Sequence, residues 1–152
     1  MIDNIRHKID PNQFGCLKGT STAFCLLDMM HTWLFYLDSP NKNPRLCFLD
    51  CSKAFNRIVP DVLIRKLVDL GVRRCLILWI ISFLSDRRQR VKIGKAFSDW
   101  LPVNAGVPQG TKLGPILFFI MINDLSIPTP DTNLWKFVDH VSISVVRPFS
   151  LH

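Results

Sequence analysis

The sequence predicts an α+β fold, and three observations predict it. Two short apolar runs, Leu46-Cys47-Phe48-Leu49-Asp50 and Leu134-Trp135-Lys136-Phe137-Val138-Asp139, have strand character and each ends on a carboxylate. Several intervening segments carry apolar residues at helical spacing. The two carboxylate runs lie far apart in the chain, so their strands are not sequential neighbours.

The elements follow in order. Ser21 or Thr22 can cap a helix running to about Tyr36, with Ala23, Leu27, Met30 and Leu34 along one face. Asp38-Ser39-Pro40-Asn41 and Asn43-Pro44 mark a turn, after which comes the first carboxylate strand. Pro60-Asp61 opens a helix with Leu63, Leu67 and Leu70 on one side, and Gly71 ends it. A nearly all-apolar helix is expected from about Cys75 to Leu84. Gln89–Ile93 and Phe97–Val103 form a predicted hairpin around Gly94-Lys95. Gly114-Pro115 starts another helix, with Leu117, Phe118, Met121 and Leu125 toward the core. Leu134–Val138 and Val141–Val146 flank Asp139-His140 as a tight hairpin does.

At 152 residues the chain fits one domain with a real core. No apolar run reaches the roughly 18–20 residues of a membrane span, and Met1 to Lys8 contains no apolar signal region. An intracellular setting, nuclear or cytoplasmic, is expected, with no membrane partner. The five cysteines show no CxxC pairing. Cys47 and Cys51 fall roughly 13 Å apart at about 3.3 Å per strand residue, too far to bridge. They read as reduced thiols.

The net charge of +7 is unevenly spread, with Arg87, Arg88, Arg90, Lys92 and Lys95 crowded together. Basic charge on a strand-forming stretch suits a phosphate backbone. It also suits a solvated edge strand protected by charge, and composition alone leaves both open.

Each terminal Asp carries chemical weight. A buried strand that ends on Asp delivers an anion to a sheet edge, where desolvation is costly unless a cation sits there. Two such anions, Asp50 and Asp139, suggest a shared divalent metal. Taken singly, each also reads as a strand-end carboxylate capping a turn.

Five strings in order carry a family resemblance. They are Gln13-Phe14-Gly15-Cys16-Leu17-Lys18-Gly19, Phe48-Leu49-Asp50-Cys51-Ser52-Lys53-Ala54-Phe55, Ser82-Phe83-Leu84-Ser85-Asp86-Arg87-Arg88-Gln89-Arg90-Val91, the loop Gly106-Val107-Pro108-Gln109-Gly110 with its continuation to Pro115, and Phe137-Val138-Asp139-His140. Together they resemble the reverse transcriptase of non-LTR, LINE-type retrotransposons. The resemblance implies a partial fingers-palm of a right-hand polymerase over residues 1–146, thumb absent, with 147–152 an unrelated or truncated tail. It implies RNA-directed DNA polymerase chemistry on an RNA template, a DNA primer and a dNTP, with Mg²⁺ or Mn²⁺ as cofactor. By it, Asp50 and Asp139 are metal ligands. Phe55, Gly106, Gln109 and Gly110 lie against nucleotide and template, and Lys18, Arg87, Arg88 and Arg90 contact phosphate.

The chain also departs from the pattern. His140 stands where the family has a second Asp, Asn56 where it usually has Asp, and Thr20 where related copies often have Arg. An imidazole removes one negative charge and supplies a nitrogen that suits softer metals than Mg²⁺. The expectation is a catalytically inactive copy, a pseudoenzyme with impaired metal binding. In that case His140→Asp alone does not restore polymerisation, because segments beyond both ends are also needed. A non-catalytic nucleic-acid-binding remnant, or a decayed fragment without a role, is the alternative. Oligomeric state is not legible.

Overall fold

The structure, a computed structural model, describes residues 2–148. Its elements are α1 (Ile2–Ile5), α2 (Thr22–Leu37), β1 (Lys42–Asp50), α3 (Pro60–Asp69), α4 (Arg74–Leu84), β2 (Arg88–Gln89), β3 (Lys92–Ile93), β4 (Ala96–Phe97), β5 (Leu101–Pro102), α5 (Leu113–Met121), β6 (Thr132–Phe137) and β7 (His140–Pro148), with 3-10 turns at Arg6–Lys8 and Ala54–Arg57. They fall into two compact units, residues 2–8 with 53–121 and residues 9–52 with 122–148.

The first unit is helical with a hairpin. Pro60 starts α3, where a missing N–H costs nothing, and Leu63 and Leu67 are fully buried on its core side. Gly71, at φ +78, takes the left-handed position just past the helix, as the sequence pattern predicts. α3 packs on both α4 and α5, with Ile58, Ile80, Leu117 and Ile120 buried. Burying each such side chain contributes about 1.5–3 kcal/mol. α5 begins at Leu113 and stops at Met121, so Leu125 lies beyond the helix and is exposed rather than in the core. The hairpin forms in two short ladders, Arg88 opposite Pro102 and Lys92 opposite Phe97, closed by Gly94 at φ +59.

The second unit is a three-stranded antiparallel sheet in the order β1-β7-β6. The β6–β7 connection has only two residues, Val138 and Asp139, because Phe137 pairs with His140. Segment 12–14 adds a parallel contact to β6: Phe14 N–H donates to Lys136 O at 2.8 Å, and Lys136 N–H to Asn12 O at 2.9 Å. Strand β1 starts at Lys42, earlier than the predicted turn allows. Pro44 is tolerated there because β1 is an edge strand. Arg147 and Pro148 continue β7 opposite Asn43 and Lys42, while the rest of the expected tail lies outside the described residues.

α2 covers one sheet face, capped at Ser21 as predicted. Its packing face is Cys25, Met29 and Trp33, set against Trp135. Trp33 meets both Phe48 and Trp135 edge-on at 6.3 Å. Trp135 Nε1 donates to Asp28 Oδ2 at 2.6 Å. The predicted face fails here: Ala23, Leu27, Met30 and Leu34 are exposed. The helix is apolar on both sides, so periodicity cannot choose between them. The aromatic row on the sheet does.

Candidate catalytic and nucleic-acid sites

β7 lies between the two carboxylate strands, and the β6–β7 turn brings Asp139 to the end of β1. Asp50 is the last residue of β1 and pairs directly with His140, the first of β7. Asp139 occupies the turn just before, and its carbonyl accepts from Cys51 N–H at 3.1 Å. Cross-strand partners share a face, so Asp50, His140 and Phe137 form one row and Phe48, Ser142 and Trp135 another.

His140 Nδ1 lies 3.5 Å from Asp50 Oδ1, and its Nε2 lies 3.9 Å from Asp139 Oδ1. One ligand atom from each of the three falls within 4.8 Å of the others. The group is open, with Asp50 and His140 side chains 73% and 65% exposed and Asp139 at 31%. Burial, then the Asp139 and Asp50 carboxylates, push the Cys51 thiol above the ordinary range, which marks a negative local field.

The turn itself is strained. Val138 holds φ +54, uncommon for a β-branched residue and found where surroundings over-determine it. Gly15 supplies that support, since a Cβ there would lie 2.6 Å from Val138 N. The Gln13-Phe14-Gly15 string therefore backs the Asp139 turn, and Thr20 closes its loop by donating to Phe14 O and Leu17 O at 2.6 and 2.9 Å. Lys18 is exposed on the same loop.

The donor set of two carboxylates and one imidazole can hold one divalent ion of borderline softness. An imidazole makes it a softer set than the all-oxygen ligands that hard Mg²⁺ ions take. With an Asp at position 140 the set would hold three carboxylates, and here it holds two.

In the helical unit, Asn56, Arg87, Arg88, Gln89, Pro108 and Gln109 line a cleft of about 400 Å³. Gln109 Nε2 donates to Asn56 Oδ1 at 3.1 Å. Phe55 is half-buried and packs on Phe118, with ring centroids 5.5 Å apart.

Two of the expected contact residues also bind the protein's own chain. Gly106 is buried, and its lack of a side chain serves the protein's own chain: a Cβ would lie 2.8 Å from Asn56 Cα and Phe55 O. Gly110, on the same loop, has φ +75 and open space beside it. Arg87 is also committed, donating to Leu84 O, Ala105 O and Gly106 O at 3.0, 3.0 and 2.7 Å. A guanidinium holding three carbonyls anchors the loop, while Arg88 and Arg90 are exposed.

Sequence reasoning missed Lys136. It is fully buried, paired with Asp10 at 2.5 Å, and donates to the carbonyls of Ile122, Asn123 and Leu125. A lysine inside an apolar run signals such a buried partner set, but the partners cannot be read from the run.

A three-stranded antiparallel sheet bearing acidic residues at the β1 end and the adjoining hairpin turn is the palm arrangement of right-hand polymerases. Comparison with known proteins agrees. The family model for reverse transcriptase (RNA-dependent DNA polymerase) matches residues 1–149, and the chain belongs to that family. The chain is 31% identical over 132 residues to the probable RNA-directed DNA polymerase from transposon BS of Drosophila melanogaster, covering 81% of this chain and 13% of that protein. It is 31% identical over 142 residues to the probable RNA-directed DNA polymerase from transposon X-element of the same fly, covering 88% and 15%. It is 37% identical over 87 residues to the RNA-directed DNA polymerase from mobile element jockey, covering 57% and 9%. These are non-LTR elements, so the chain is of the LINE type, and it spans a small part of each relative's length. Among solved structures, an apo telomerase from Candida tropicalis, truncated from the C-terminal domain, superposes with a TM-score of 0.64 at 13% identity. That match covers 94% of this chain and 33% of the telomerase and shows the fold alone. No helix among the described residues is long and apolar enough to cross a membrane.

Proposed function

We propose that this chain is a reverse-transcriptase palm segment that engages a nucleic-acid template and primer but does not catalyse Mg²⁺-dependent nucleotidyl transfer. The observation that carries the reading is the pairing of Asp50 with His140 in the sheet register. In-line displacement at a triphosphate needs charge at both the attacking and leaving oxygens, which paired divalent ions supply. Replacing one carboxylate by a group that adds no negative charge weakens the hold on that pair. An RNA template, a DNA primer and a dNTP are the partners implied by family membership. Lys18, Arg88 and Arg90 are assigned to phosphate, and Gln109 and Gly110 to the nucleotide and template side.

The test is primer extension on the full chain with Mg²⁺ and with Mn²⁺, beside Asp50→Asn. The expected result is no incorporation above that control with either ion. Incorporation that disappears in Asp50→Asn would overturn the reading and establish His140 as a tolerated ligand.

A further inference from the structure

The hairpin from Arg88 to Pro102 is the least absorbed part of the molecule. Every residue along it is exposed, and its aromatic and basic side chains interleave. The Arg90 guanidinium sits 4.0 Å from the Phe97 ring centroid and 4.6 Å from that of Trp100. Lys92, the cross-strand partner of Phe97, places its ammonium 5.5 Å from the same ring. Phe97 and Trp100 nevertheless stay 50% and 55% exposed. Burial cannot account for two large rings held on one cation at a hairpin surface.

We propose that this hairpin face is a docking surface for single-stranded nucleic acid, with Phe97 and Trp100 as base-stacking platforms. Arg90, braced between the rings, fixes both before any ligand arrives, which lowers the ordering cost of binding. Arg88, Lys92 and Lys95 then meet the phosphates, together with the N–H edge of Arg90 that stacking on the rings leaves open. A solvated edge strand needs only the charges, and it leaves the clustered rings unexplained. Duplex is disfavoured because its bases are already stacked and present no open π-face. Stacking on a ring does not read base identity, so the surface accepts RNA and DNA strands of any sequence. The proposal deepens the nucleic-acid part of the reading above and requires none of its metal chemistry.

The test is fluorescence anisotropy of labelled oligo-U and oligo-dT strands of about 12 nucleotides, with the matching duplex as competitor. It is run on the full chain in EDTA at low salt, so the outcome does not depend on the metal site. Binding of both strands is expected, with Phe97→Ala and Trp100→Ala each weakening it by about 5- to 150-fold. Trp100→Phe keeps an aromatic face and retains most of the affinity. Lys92→Ala and Lys95→Ala should each lower the salt slope by about one. All five changes fall on exposed positions, and circular dichroism verifies that the fold persists. Absence of binding by the native chain, binding indifferent to both ring deletions, or tighter binding of duplex than of single strand would each overturn the proposal. Primer extension by the native chain would overturn the reading of the metal site and leave this result standing.

Discussion

The sheet unit holds two charged groups only a few residues apart, and they are built in opposite ways. Lys136 is sealed from solvent, with a carboxylate and three carbonyls around its ammonium. Asp50, Asp139 and His140 stand open, at separations of 3.5 and 3.9 Å that satisfy none of them fully. A buried charge survives only when its donors are saturated, so the lysine group serves the fold. Exposed, unsaturated donors do little for stability and remain available to a ligand. The contrast separates what holds the palm sheet together from what stays open to a ligand.

The largest effect should come from the sealed group. Lys136→Met removes the ion-pair partner of Asp10 and the ammonium donor from the carbonyls of Asn123 and Leu125, and is expected to cost about 3–5 kcal/mol in urea unfolding. Asp50→Asn should stay within about 0.5 kcal/mol of the native chain; an equal loss from both would erase the distinction. Next come the glycines. Gly106→Ala drives a Cβ into the 55–56 backbone and should cost about 1–3 kcal/mol, more than Gly110→Ala, which meets only backbone strain of about 1 kcal/mol. Differential scanning calorimetry on the pair settles their order.

Arg87 and Arg88 sharpen the same comparison in the helical unit. Arg87→Ala should lower stability by about 1–3 kcal/mol through its freed carbonyls, and Arg88→Ala should leave stability unchanged while weakening oligonucleotide binding. The smallest effect concerns thiols. Burial first, and the Asp28 carboxylate second, push the Cys25 thiol upward. The folded chain therefore keeps a proton there that the unfolded chain gives up, and stability should fall as pH rises through the ordinary thiol range. Timed alkylation at mildly alkaline pH should label the exposed Cys47 and Cys75 well before Cys25.

Local signals were legible where a single element set them. Ser21 as a cap, Pro60 as a helix start, Gly71 as a helix stop and the Gly94-Lys95 turn all follow from backbone chemistry, and all are found. The approach of Asp50 to Asp139 was legible through the family's string order, since register between distant strands has no local signature. Contact-dependent features were hidden. The packing face of α2 depends on Trp33 finding Phe48 and Trp135, and the roles of Gly15, Gly106, Arg87 and Lys136 depend on partners far along the chain. Each of those residues serves the fold, where three strings singled out for function supplied an anchor, a filler or a brace.

The central claim is that His140 leaves the open group short of charge for paired divalent ions. Calorimetric Mn²⁺ binding to the native chain, His140→Asp and Asp50→Asn tests it most directly. The account predicts that His140→Asp binds at least about tenfold more tightly than the native chain, a modest share of the several kcal/mol a new carboxylate offers at this range. Asp50→Asn should bind more weakly than the native chain. Native affinity equal to or above that of His140→Asp would contradict the claim.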